Sequence, residues 1–147
     1  MLGVFLIHAA ATLYMVGLIW FVQLVHYPLF DKVGLDGFIA YQQAHMARTT
    51  WAVGPPMLAE IAGAIVLCAY PLRGLPPWSA WLGLGLVLVA WASTAALQVP
   101  RHEALVSAGF AADQHSALVA TNWIRTIAWS GRGILVTWMI ATLINRG

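Results

Sequence analysis

Four stretches of this chain, residues 1–27, 51–72, 78–99 and 123–144, run on with almost no charge, holding only Glu60, Arg125 and Arg132 between them. A bilayer core asks for about 20 apolar residues in a helix, and each stretch meets that length. Only 8% of the residues are charged, against about 25% in a soluble domain, so an ordinary solvated surface is excluded. Three of the four stretches begin at a Trp (Trp51, Trp78, Trp123), as expected where aromatic side chains collect at membrane interfaces. The first stretch lacks the basic start and small-residue cleavage site of a secretory leader. The expected fold is all-α: one integral membrane four-helix bundle over residues 1–147, multi-pass, with the lipid bilayer as its main partner. The net charge of +2 is too small and scattered for nucleic acid. The lone Cys68 can form no internal disulfide and reads as a small buried apolar residue.

The connections are unequal. PLRGLPP, between the second and third stretches, is a tight turn that makes them antiparallel neighbours. The other two connections, 28–50 and 100–122, are long enough for interfacial helices. In FIAYQQAHMARTTW, Tyr41, His45 and Arg48 recur at i, i+4 and i+7 on one helical face, and Asp36 before Gly37 is a plausible cap. An even number of spans separates the two long connections, so they share one face of the membrane. Four of the five histidines belong to that face: His26, His45, His102 and His115. Lys32, Arg48, Arg101 and Arg125 lie there too, against Arg73 and Arg146 on the other side, which by the positive-inside rule makes the site face cytoplasmic. His8, near the other face, reads as a satisfied structural residue.

Glu60 and Arg132 each lie nine positions into a span that enters from the site face. At 1.5 Å per residue both sit about 13–14 Å deep, where an isolated charge costs at least about 3 kcal/mol. They are expected to pair. The pair either fixes helix register or floors a polar cavity and relays a proton.

Gln23, His26 and Tyr27 close the first span. Gln98 and His102 flank Pro100 at the end of the third. Asn122, Arg125, Trp129 and Arg132 run inward as a stripe on the fourth. Pro28 and Pro100 stop or bend their helices where these groups appear. Together the three ends outline a polar pocket. Histidine is the commonest transition-metal ligand, and His26, His45, His102 and His115, with Asp31, Glu103 or Asp113 nearby, are candidate ligands for iron, copper or zinc. No HxxxH, ExxH or CxxCH spacing is present, so any metal set must be assembled from different helices. Haem on His26 and His102 fits less well, because no apolar haem slot is legible. A quinone-like or phenolic aromatic needs no metal. Trp20, Tyr27, Trp123 and Trp129 offer flat surfaces; Gln23, Gln98 and Asn122 offer hydrogen bonds to its oxygens. A His would act as general base and Arg125 would hold a developing phenolate.

HYPLF (His26–Phe30), PRHEAL (Pro100–Leu105) and NWIRTIAWSGR (Asn122–Arg132) together resemble the small four-span membrane proteins that include the anthrone oxygenases. Relatives often carry Asn after the Pro, where this chain has Arg101 and His102. The resemblance implies a membrane oxidoreductase acting with dioxygen on polyketide-like phenols. The expected function is therefore an oxidoreductase. His26, His45, His102, Arg125, Glu60 and Arg132 would be its catalytic groups, and Gln23, Tyr27, Gln98, Asn122, Trp123 and Trp129 would bind substrate. The alternatives are a non-catalytic subunit of a larger membrane complex, or a small carrier or channel working as a homo-oligomer.

Overall fold

A computed structural model describes residues 1–145, and all regular structure within them is helical. Arg146, assigned above to the face opposite the site, lies outside the described residues. Helix α1 (Leu2–Phe21) continues through a π-helical turn, Val22–His26, and a 3-10 turn, Pro28–Lys32. Helix α2 spans Phe38–Ala69. Helix α3 (Pro77–Ser93) passes through a second π-helical turn, Thr94–Gln98, into α4 (Val99–Ala108), and α5 spans Ala112–Ile144. The result is four rods of 31 to 33 residues, each long and apolar enough to cross a membrane.

The helical segments expected in the two long connections are present, but they are not separate interfacial helices. They are continuous with the spans, so the true links shrink to 33–37 and 109–111. A helix satisfies its own backbone, whereas a break exposes about four N–H and four C=O groups, so running on is the economical choice. Even Pro55 and Pro56 leave α2 unbroken. Gly37, not Asp36, occupies the N-cap of α2, and no side chain caps it. Gly109 ends α4 at φ +81°, a left-handed turn that suits glycine. A rod of 32 residues is about 48 Å long and exceeds a hydrocarbon core of about 30 Å. The surplus turns of all four rods are the polar ones, and they gather at the site end.

Both π-helical turns stand directly before a proline. Tyr27 N–H bonds Val22 O at 3.0 Å, and Val99 N–H bonds Thr94 O, each five residues back. Pro28 and Pro100 come next. A proline ring collides with the carbonyl four residues earlier in an α-helix, and one wider turn relieves the collision. The widened turns carry Gln23 and His26 in one rod, and Thr94 and Gln98 in the other. Such turns are frequent at functional sites.

Each rod touches two neighbours: α1 packs on α2 and α5, and α3 packs on α2 and α5. The core has two apolar parts. The part at the site end includes Met15, Phe30, Phe38, Met57, Leu105 and Trp129; the other includes Phe5, Leu67, Leu135 and Met139. Between them lies a polar belt containing Glu60 and Arg132. The outside is apolar as well: Ile7, Trp51, Trp81, Ile127 and Ile134 are all exposed.

Gly63 sets the spacing of α1 and α2. A Cβ there would stand 2.8 Å from both Cβ and Nδ1 of His8, closer than atoms can approach, and His8 is held in place by the carbonyl of Glu60. Gly63→Ala is expected to cost about 1–3 kcal/mol through overpacking. Gly85→Ala, with open space around it, is the control. Denaturation midpoints in mild detergent compare them; equal midpoints would mean the helices separate at no cost.

Candidate functional site

Two polar layers lie along the bundle. In the deeper one Arg132 Nε donates to Glu60 Oε1 at 3.0 Å, with both side chains almost wholly buried. Trp129 Nε1 donates to Glu60 Oε2 at 2.8 Å. Arg132 also donates to Thr12 Oγ1 at 3.1 Å, to the carbonyl of Gly83, and more distantly to His8 Nε2. His8 Nδ1 in turn donates to the Glu60 carbonyl at 3.0 Å. Arg132 therefore ties α5 to α1, α2 and α3 at once, with every nitrogen engaged. This layer is a closed clamp, and His8 is one of its structural members.

The outer layer is built differently. Arg125 is 8% exposed and donates through Nε and Nη2 to Asn122 Oδ1 at 2.8 and 2.6 Å. Its Nη1 reaches Thr94 Oγ1 at 3.3 Å and its Nη2 reaches Tyr27 Oη at 3.1 Å. The guanidinium lies 5.9 Å from the ring centre of Trp129, within cation–π range. The ion pairs among the described residues are Lys32–Asp31 and Arg132–Glu60. Arg125 is thus a buried cation with no carboxylate. Seven residues apart on one helix, the two arginines have opposite electrostatic standing.

Tyr27 links Arg125 to the histidines. Its hydroxyl lies 2.9 Å from His102 Nε2, and His102 Nδ1 lies 2.5 Å from Gln42 Nε2. With the amide in this orientation Gln42 Oε1 has no donor. His102 Nδ1 then accepts, and its Nε2–H donates to Tyr27. The Tyr27 oxygen receives two hydrogen bonds, and its own proton stays uncommitted. His45 joins from α2: its ring centre is 5.0 Å from that of His102, and its Nδ1 lies 2.9 Å from His26 Nε2 and 3.1 Å from Thr49 Oγ1.

These groups wall two cavities. One, of about 50 Å³, runs inward between Met15, Ile19, Val22, Met57 and Trp129. The other, of about 130 Å³, adds Thr94, Gln98 and His102. Both are lined by Tyr27, His45, Thr49, Val53 and Arg125, so they adjoin along a polar wall, and the first has an apolar inner end. A more open hollow of about 270 Å³, lined by His26, Tyr41 and Arg48, lies beyond His45 and Thr49.

Of the residues singled out from sequence, His26, His45, His102, Arg125, Tyr27, Gln98 and Trp129 come together here. Gln23 and Asn122 stand behind the wall. Asn122 Nδ2 donates to Gln23 Oε1 at 2.8 Å while Asn122 Oδ1 holds Arg125, so both position the cation. Trp123 is 40% exposed and meets Trp20 edge-on, away from the cavity. His115 is elsewhere too: its Nε2 donates to the Tyr27 carbonyl at 2.7 Å, against Phe30 and Phe110. Among the described residues no three His, Cys, Asp or Glu side chains are arranged to hold a metal ion. His26 and His45 face each other, and both His102 nitrogens are spent on Tyr27 and Gln42. The expected iron, copper or zinc ligands are thus not assembled as a set of three among the described residues.

Gln42, Thr49 and Thr94 were not anticipated. The inward face of α2 is Gln42, His45 and Thr49, at i, i+3 and i+7, one residue round from the Tyr41–His45–Arg48 face chosen from sequence. Both stripes contain His45, and only burial separates them. Comparison with known protein families, curated proteins and solved structures found no match.

Proposed function

We propose that this chain is a multi-pass integral membrane protein and a membrane oxidoreductase whose adjoining cavities take a small oxygenated aromatic molecule, phenolic or quinone-like. One observation carries this reading: Arg125 is a buried guanidinium without a counter-charge on the wall of a partly apolar cavity. Burying an unpaired cation is costly, and a ligand oxygen bearing or developing negative charge supplies the missing partner. Tyr27 offers its uncommitted proton to the same oxygen, and His45 lines the same wall. The inner end, between Met15, Met57 and Trp129, suits the hydrocarbon of a ring. Arg125 favours the ionised form of a bound phenol. A phenolate gives up an electron more readily than its phenol, which links the site's electrostatics to oxidation. The apolar exterior supports a location of the rods in lipid, and Lys32, Arg48 and Arg101 at the site end favour a cytoplasmic site face.

2-Naphthol is a suitable probe, because its absorption reports ionisation. Titrated into protein in lipid nanodiscs, it is expected to bind and to ionise at lower pH than in empty nanodiscs. With the bound ionisation below the free one, affinity rises with pH between the two values and levels off above the free one. Tyr27→Phe removes the proton donor and should weaken binding roughly tenfold, the scale of one hydrogen bond. If protein-containing and empty nanodiscs give the same titration, the reading fails.

A further inference from the structure

Gln98 is 1% exposed, lines the larger cavity, and its Oε1 has no hydrogen-bond partner. Its amide orientation is assigned from its contact with Thr121. The Thr121 hydroxyl already donates to the Ala117 carbonyl at 2.6 Å, so toward Gln98 it can only accept, and it takes Gln98 Nε2–H at 3.0 Å. Turning the amide over would cost Thr121 its 2.6 Å bond to the Ala117 carbonyl. Oε1 is therefore a buried acceptor held without a donor. Gln42 Oε1 shares this lack, but Gln42 lines none of the cavities at the site end. An acceptor left empty in a cavity wall is a specificity element: it rejects a ligand that brings no donor.

The cavity thus presents two unlike demands. Arg125 and Tyr27 offer donors to one oxygen, and that oxygen is better ionised than protonated. Gln98 asks for a proton that such an oxygen has given up, so a single hydroxyl cannot meet both. Resting on the cavity reading above, we propose that the ligand is a dihydroxy-aromatic of the hydroquinone or catechol type. One of its oxygens ionises against Arg125 and Tyr27, and the second hydroxyl donates to Gln98. Gln98 is then the residue that separates diols from monophenols.

The test measures affinity ratios in nanodiscs for 2-naphthol against its 2,3-, 2,6- and 2,7-dihydroxy relatives, and against the monomethyl ether of the best diol. At least one diol is expected to bind about tenfold tighter than 2-naphthol, the worth of one buried hydrogen bond, and its ether to lose that gain. Gln98→Leu should collapse the ratio to within about twofold. Gln98→Met, of similar volume and without a strong acceptor, should collapse it likewise, and its folding shows that position 98 tolerates change. If 2-naphthol binds but no diol exceeds it, water serves Gln98 and this inference is overturned while the cavity reading stands. A ratio that survives Gln98→Leu overturns it equally. If none of the probes binds, both fall together.

Discussion

Glu60→Ala is expected to destabilise the bundle by about 3–5 kcal/mol, the cost of leaving a buried charge without its partner. Arg132 would keep only neutral acceptors, Thr12, the Gly83 carbonyl and His8, and Trp129 Nε1 would lose Glu60 Oε2. Since Arg132 joins all four rods, the loss should reach the whole fold rather than one helix. Pairing Glu60→Leu with Arg132→Met should recover most of the stability, because well-packed apolar groups replace buried ion pairs at little cost. Denaturation by added sodium dodecyl sulfate in mixed micelles measures both variants against the parent. A single variant that unfolds with the parent, or a double variant no better than the single, would show that the clamp does not hold the bundle together.

Arg125→Met should behave in the opposite way. Removing a cation that has no carboxylate relieves the cost of burying it, which offsets the stranded Asn122 and Tyr27 oxygens beside a cavity. Stability is expected to change by no more than about 1 kcal/mol. Binding should suffer instead. A hydrogen bond to a charged group is worth about 1.5–3 kcal/mol, so affinity for 2-naphthol should fall by roughly ten- to a hundredfold. The ionisation of the bound probe should return towards its value in empty nanodiscs. A variant that unfolds while the remaining folded fraction binds normally would make Arg125 a structural residue and remove the basis of the proposed function.

The contrast between these two arginines marks how far the chain could be read in advance. Equal depth on two spans was enough to bring Glu60 and Arg132 together, because depth follows from counting residues along a helix. Arg125 was recognisable as part of a polar stripe, but its lack of an acid was not. That lack depends on which side chains three other helices deliver to the same spot. The histidines tell a similar story. Their common end of the bundle was legible from the parity of the spans. Their hydrogen bonds were not: His45 turned to His26, His102 to Tyr27 and Gln42, and His115 to a backbone carbonyl.

Sequence alone determined the four apolar spans, the end at which polar groups collect and the matching register of the buried pair. These follow from local composition and a rise of about 1.5 Å per residue, which need no knowledge of neighbours. Only the tertiary structure decided that Gln42 rather than Tyr41 faces inward, that Trp123 lies outside and Trp129 inside, and that Gln98 keeps an empty acceptor. Residues one step apart on a helix differ by about 100°, and which of them is buried depends on where the adjoining rods touch.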